Sequence, residues 1–142
     1  MDRIKVYFLT LLLALFFTKN AISANSYFSE GKKLFNEKKY SKSKFKFEQD
    51  IVFNPKNEKS YLYLAKIFNE EKNDTMEEQN LNTVILLNPK NEEAVFLLTL
   101  LKIKKSDYSE SKKLINTFKK ICKTFCEKET ELKSKLKNLQ PK

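Results

Sequence analysis

Asn54-Pro55-Lys56-Asn57 returns letter for letter as Asn88-Pro89-Lys90-Asn91, 34 residues later. That interval is the period of a helix-turn-helix solenoid unit. Proline disfavours helical geometry in the residue before it, so Asn54 and Asn88 each predict the end of a helix.

Three frames follow from the period: 24–57, 58–91 and 92–125. Their fourth places hold Tyr27, Tyr61 and Val95, and their eighth places hold the small residues Gly31, Ala65 and Thr99. Gly31 is the only glycine in the chain. A glycine inside a helix costs about 1 kcal/mol against alanine, so its presence predicts two helices crossing closely there. At the seventeenth place Tyr40 and Tyr108 agree while Asp74 departs, and at the twenty-fourth Phe47, Leu81 and Ile115 are all apolar. Pro55 and Pro89 fall at the thirty-second place, where the third frame has Lys123.

These residues resemble the tetratricopeptide repeat (TPR) family, over two full repeats and a third without its proline. The resemblance implies an all-α fold: a TPR-like helical solenoid of about three helix-turn-helix repeats and a C-terminal capping helix. Two departures bear on packing. The family's small residue at place twenty is Glu77 in the second repeat, and at place twenty-seven it is Asp50, Val84 and Phe118. These larger side chains predict looser packing of the second helices.

The composition supports helices, because a chain with one glycine and three prolines cannot supply the turns of a β-rich fold. A length of 142 residues gives one domain as the prior. The net charge of +10 comes almost wholly from lysine, Arg3 being the only arginine. Lysine lacks the planar fork that reads phosphates and bases bidentately, so the charge reads as a solvated surface and nucleic acid is not expected as a partner.

Residues 1–24 have the three-part form of a secretory signal peptide: Arg3 and Lys5 at the start, an apolar run from Val6 to Phe17 broken by Thr10, and the small residues Ala21-Ile22-Ser23-Ala24. That run of twelve is well short of the roughly 20 residues needed to span a bilayer, so no stable membrane span is expected. Cleavage is expected after Ala24, with Ser23 as second choice. It leaves 25 basic against 17 acidic side chains, a mature charge of about +8. The protein is thus expected to be exported, periplasmic if the source is a Gram-negative bacterium and otherwise secreted.

The mature chain divides into repeats 25–57, 58–91 and 92–125, a capping helix 126–139 and a tail 140–142. Apolar spacing predicts helices over Ser26–Lys38, Ser41–Phe53, Lys59–Glu71, Met76–Leu87, Tyr108–Ile121 and Glu127–Leu139. Ser41 is a candidate N-cap, and Asn73-Asp74-Thr75 supplies turn and cap. Ala94 to Ile103 is apolar nearly all round, which predicts burial on every face. Leu132, Leu136 and Leu139 put one apolar stripe on the last helix.

Chemistry is narrowly bounded. Without histidine there is no Ser-His-Asp or Cys-His nucleophile and no His-containing zinc site; with one glycine there is no phosphate loop. Glu70-Glu71, Glu77-Glu78 and Glu92-Glu93 are sequence neighbours, which a helix points about 100° apart. No enzyme, cofactor or metal is expected. Two function classes stand: a non-enzymatic binding module, and a thiol-disulfide redox protein using Cys122 and Cys126. Their C-x3-C spacing is not the C-x-x-C of oxidoreductases, and no βαβ pattern surrounds it, which favours the first. On an unbroken helix, positions four apart hold their Cβ atoms too far apart to bridge. A Cys122–Cys126 disulfide is therefore expected only with a break at Lys123-Thr124-Phe125.

The resemblance also implies a partner and a surface. TPR proteins line their groove mainly from the first helix of each repeat. Carried over, the groove residues are Asn25, Phe28, Lys32 and Phe35; Lys59, Leu62, Lys66 and Asn69; Glu93, Phe96, Leu100 and Ile103. The expected partner is another protein or an extended peptide with acidic and apolar side chains, and a homodimer stays open. Phe28, Tyr63 and Leu97 stand where some chaperone-binding TPR domains carry a polar clamp for a terminal carboxylate, so that clamp is not matched. Phe96, Leu100 and Ile103 have a second reading: they lie under the capping helix or a second copy of the chain.

Overall fold

The structure, a computed structural model, describes residues 19–139 and their side chains from 27 onward. Among these residues there are seven helices and no strand: α1 Lys19–Asn36, α2 Tyr40–Phe53, α3 Glu58–Glu70, α4 Asp74–Leu87, α5 Glu92–Lys104, α6 Tyr108–Ile121 and α7 Lys128–Leu139. Residues 1–18 of the expected leader lie outside the description. Residues 19–24 form the first turns of α1, which begins seven residues before the expected Ser26. The physical reason is that no glycine or proline intervenes in the uncut chain to stop the helix.

Each hairpin turns through three residues, and each turn has one residue in the left-handed region: Lys38 (φ 58°), Lys72 (φ 56°) and Ser106 (φ 59°). They recur at the 34-residue period. The bonding around them is that of a Schellman corner. The Lys72 amide donates to the Asn69 carbonyl at 3.0 Å and the Asn73 amide to Phe68 at 2.8 Å. Ser106 and Asp107 donate to Ile103 and Lys102, and Lys38 and Lys39 to Phe35 and Leu34, in the same pattern. Asn73 and Asp107 then cap the next helix, accepting from the Met76 and Glu110 amides at 3.2 and 3.1 Å. In the first corner this position is Lys39, which makes no side-chain cap bond; the expected cap Ser41 falls inside α2.

The repeated quartet does a related job between hairpins. Asn54 and Asn88 end α2 and α4 in non-helical conformations, as the following prolines require. Asn57 caps α3 through Lys59 N at 3.3 Å, and Asn91 caps α5 through Ala94 N at 3.0 Å.

The chain forms two compact units, Met1–Pro55 and Lys56–Lys142. In the first, α1 crosses α2 at Gly31, whose carbonyl accepts the buried Ser43 hydroxyl at 2.8 Å. A Cβ on Gly31 would stand 2.8 Å from the fully buried Phe47 ring. Tyr27 stacks on Phe53 at 5.7 Å, and Phe35 tilts against Tyr40 at 5.5 Å.

In the second unit, Ala65, Leu81, Val84, Val95, Leu101, Ile115 and Phe118 form one core with Leu132 and Leu136 of α7. Tyr61 and Tyr108 pack on its edge. The Tyr108 hydroxyl ties the two ends together by donating to the Leu139 carbonyl at 2.6 Å. The expectation of loosely packed second helices fails: Val84 and Phe118 have no exposed surface and Glu77 is 2% exposed. Asp50, in the first unit, is likewise fully buried. These large residues fill the space between the helices.

Gly31→Ala tests the α1–α2 crossing. On an open helix it would stabilise by about 1 kcal/mol. Here the overlap with a rigid, buried ring should outweigh that gain, for a net loss of about 1–2 kcal/mol in denaturant titration.

Candidate functional site

The helices expected to meet a partner are the first of each hairpin: α1 in the first unit, and α3 and α5 in the second. In the first unit, Phe28 and Lys32 line an open cleft along α1 with Ser29, Lys33, Asn36 and Glu37. Phe28 is half-buried, its ring tilted against Phe47 at 5.8 Å. Phe35 is half-buried against Tyr40, so it serves the hairpin more than the face.

In the second unit, α3 presents Lys59 and Asn69 exposed and Lys66 half-buried. The Lys66 ammonium bridges to Glu93 of α5 at 2.7 Å and sits 5.1 Å from the centre of the Tyr63 ring. The result is an amphipathic patch with one aromatic, basic groups and a carboxylate. Tyr63 was legible only as a mismatch to a carboxylate clamp; its spacing of three from Lys66 is the signal that a helix would pair them. Asn69 points the other way in function. Its amide donates to the buried Glu77 carboxylate at 3.0 Å, which fixes α3 to α4. Leu62, 8% exposed, belongs to the core.

The expected apolar end of the face is mostly closed. Phe96 and Ile103 are 9% and 3% exposed, in the same core as Leu132 and Leu136 of α7. Phe96 also meets Phe118 at 6.1 Å and lies under the Lys128 ammonium at 5.9 Å. Of the second reading's two covers, α7 is the one seen. Leu100 stays half-exposed, lining a cleft of about 520 Å³ with Ile103, Lys104, Lys135, Asn138 and Leu139.

Between α6 and α7 the helix does break, over residues 122–127. Cys122 and Cys126 face each other there with Cα atoms 5.2 Å apart, inside the range a disulfide requires. Glu92, in the first turn of α5, reaches this corner and accepts the amides of Thr124 at 3.0 Å and Phe125 at 2.9 Å. These contacts, with the Lys123 amide as the strongest, hold its carboxyl below the usual range. Glu58 stands 34 residues earlier and accepts the Asn88 side-chain amide at 3.0 Å. In both repeats a first-turn glutamate fastens the end of its own repeat.

Lysines at the end of α5 are neutralised by α4. Glu78 accepts from Lys102 and Lys105, each at 2.6 Å, and Asp74 from Lys104 at 2.6 Å. The Lys102 bond, then that of Lys105, lowers the Glu78 carboxyl, and Glu78 in turn raises Lys102. Burial pushes Glu77 the other way, upward, against the Asn69 hydrogen bond. Among the described residues, no cluster of three or more His, Cys, Asp or Glu side chains is placed to hold a metal ion.

No family model and no curated protein matches the sequence. Solved structures do resemble it. The TPR2B domain of yeast Sti1, in a complex with an Hsp70 peptide, superposes with a TM-score of 0.78 at 14% identity, over 84% of this chain and 99% of that one. The Yersinia enterocolitica type III secretion chaperone SycD, with a peptide of the translocator YopD, gives 0.74 at 13% identity, over 82% and 92%. The second TPR domain of human RPAP3, with an HSP70 peptide, gives 0.71 at 17% identity, over 87% and 99%. The fold is a helical repeat of the TPR type.

The Glu78 cluster sets a pH dependence. A carboxyl lowered on folding stabilises above its unfolded range and loses that contribution as pH falls through its folded value. Unfolding temperature should therefore drop below about pH 4.5. Glu78→Gln should lower it at neutral pH and remove part of the acid drop, read by thermal denaturation across pH 3 to 7 (roughly the span of carboxylate titration). An unchanged acid profile in the variant would remove Glu78 from this role.

Proposed function

We propose that the protein is an exported, non-enzymatic adaptor that binds an extended segment of another protein on the first-helix faces of its repeats. The observation that carries this reading is the patch of Lys59, Tyr63, Lys66 and Glu93. Folding leaves it accessible while neighbouring apolar residues are drawn into the core. An ammonium over an aromatic ring beside a carboxylate offers charge, a flat apolar surface and an acceptor within one helix pitch. It suits an acidic peptide with an aromatic or aliphatic side chain.

Similar folds in Sti1, RPAP3 and SycD are seen with peptides, which supports a peptide as the ligand class. The half-buried Phe28, Tyr63 and Leu97 at the clamp positions argue against a terminal carboxylate as the anchor. Export rests on the leader-like start, and it brings the two cysteines into an oxidising compartment where Cys122 and Cys126 join. The redox-enzyme alternative gains no support from the fold: the pair stands in a corner between helices, with no strand among the described residues.

The test uses protein from the native host. Its amino-terminal residue should be Asn25, or Ala24 if cleavage follows Ser23, and an intact Met1 would contradict export. A labelled peptide of alternating acidic and aromatic residues should bind the wild type, and Lys59→Glu and Lys66→Gln should weaken it at least tenfold. Because an exposed pair contributes at most about 1 kcal/mol, neither change should shift unfolding much. Lys120→Glu on α6 serves as control. Equal loss in the control, or none in the two variants, would overturn the reading.

A further inference from the structure

The end of the third repeat departs from the second at the positions that close it. Asn88 and Asn91 become, 34 residues on, Cys122 and Phe125. Where Asn91 caps the following helix, Phe125 has no side-chain group to offer. The turn instead presents its backbone amides to the Glu92 carboxylate, at 2.9 and 3.0 Å. A grip on consecutive amides needs the turn held in one shape, and Cys122 and Cys126 bracket that turn with Cα atoms 5.2 Å apart. Past it, α7 lays Leu132 and Leu136 into the core that contains Phe96 and Ile103.

We propose that the Cys122–Cys126 pair is a redox lock on α7, which sets whether the apolar end of the first-helix face is covered. Joined, the cysteines hold residues 123–125 in the form that Glu92 grips, and α7 stays on the third repeat. As thiols they free the turn, α7 lifts more often, and Phe96 and Ile103 become available to the peptide. This rests on the reading of that face as the binding surface.

Opening requires a dithiol reductant. One thiolate of the reductant attacks Sγ of Cys126, the more exposed of the two cysteines, and the Cys122–Cys126 bond breaks. Cys122 leaves as a thiolate and takes a proton. The second reductant thiolate then attacks the reductant sulfur of the mixed disulfide, and Cys126 leaves and is protonated. The protein has gained two electrons and two protons, and the dithiol has become a disulfide.

The size of the effect follows from loop closure. A cross-link around five residues restricts the open state about thirtyfold in the chain-entropy model. Undocking of α7 should become more frequent by that factor, while α3 and α4, which pack chiefly on each other and on α5, should not change.

Amide hydrogen exchange on the full chain reads this directly, comparing unreduced protein, dithiothreitol-treated protein and the Cys122→Ser/Cys126→Ser variant. Exchange in α7 and at Thr124 and Phe125 is expected to quicken about thirtyfold on reduction and in the variant. Amides of α3 and α4 should hold their rates, and an anilinonaphthalene sulfonate dye should brighten. Two free thiols in the unreduced protein, α7 exchange unmoved by reduction, or equal quickening in every helix would each overturn the lock. If α7 opens as expected but the acidic-aromatic peptide binds no tighter, the lock stands and the binding reading of this face falls.

Discussion

Short helices joined by short turns must satisfy their own end groups, and that constraint organises this chain. Each helix leaves four amides and four carbonyls without helical partners. Turns of three residues give no room for separate caps, so one corner serves both helices. In the Lys72 corner, the Asn73 amide closes α3 and the Asn73 side chain opens α4. Asp107 repeats the device at Ser106. The quartets at 54–57 and 88–91 do the converse work, with a proline to end one helix and an asparagine to start the next.

The third repeat shows what happens when that solution is missing. With cysteine and phenylalanine in place of the two asparagines, the turn has no side-chain amide to bond its own backbone, and Glu92 accepts the Thr124 and Phe125 amides from another helix. The cost to a carboxylate of leaving water is offset by several amides aimed at one oxygen, which is why its protonation is disfavoured. The same economy explains the buried Glu77. Its burial favours the neutral form, and the Asn69 amide is the partner that makes the charged form tolerable.

Much of the fold was legible because its signals are local and periodic. The quartets, the lone glycine and the spacing of tyrosines gave the hairpins, and the Gly31–Phe47 approach is the close crossing that a costly glycine implied. The left-handed corners were not legible, since Lys38, Lys72 and Ser106 carry none of the glycine or asparagine signature of that conformation. The candidate face was legible only in part. Helix α5 is apolar on every side, and a pattern without polarity cannot say which neighbour covers which side; the structure assigns Phe96 and Ile103 to α7. Glu92 was hidden for a different reason, because its partners are backbone amides more than 30 positions away.

In the function proposed for this chain, partners meet the first helices of the hairpins rather than the second. Nuclear magnetic resonance of labelled mature protein, titrated with the acidic-aromatic peptide, tests it most directly. Shifts should concentrate at Lys59, Tyr63, Lys66 and Glu93, with the outer residues of α6 such as Lys112 and Lys120 unmoved. Shifts confined to α4 and α6 would contradict the account.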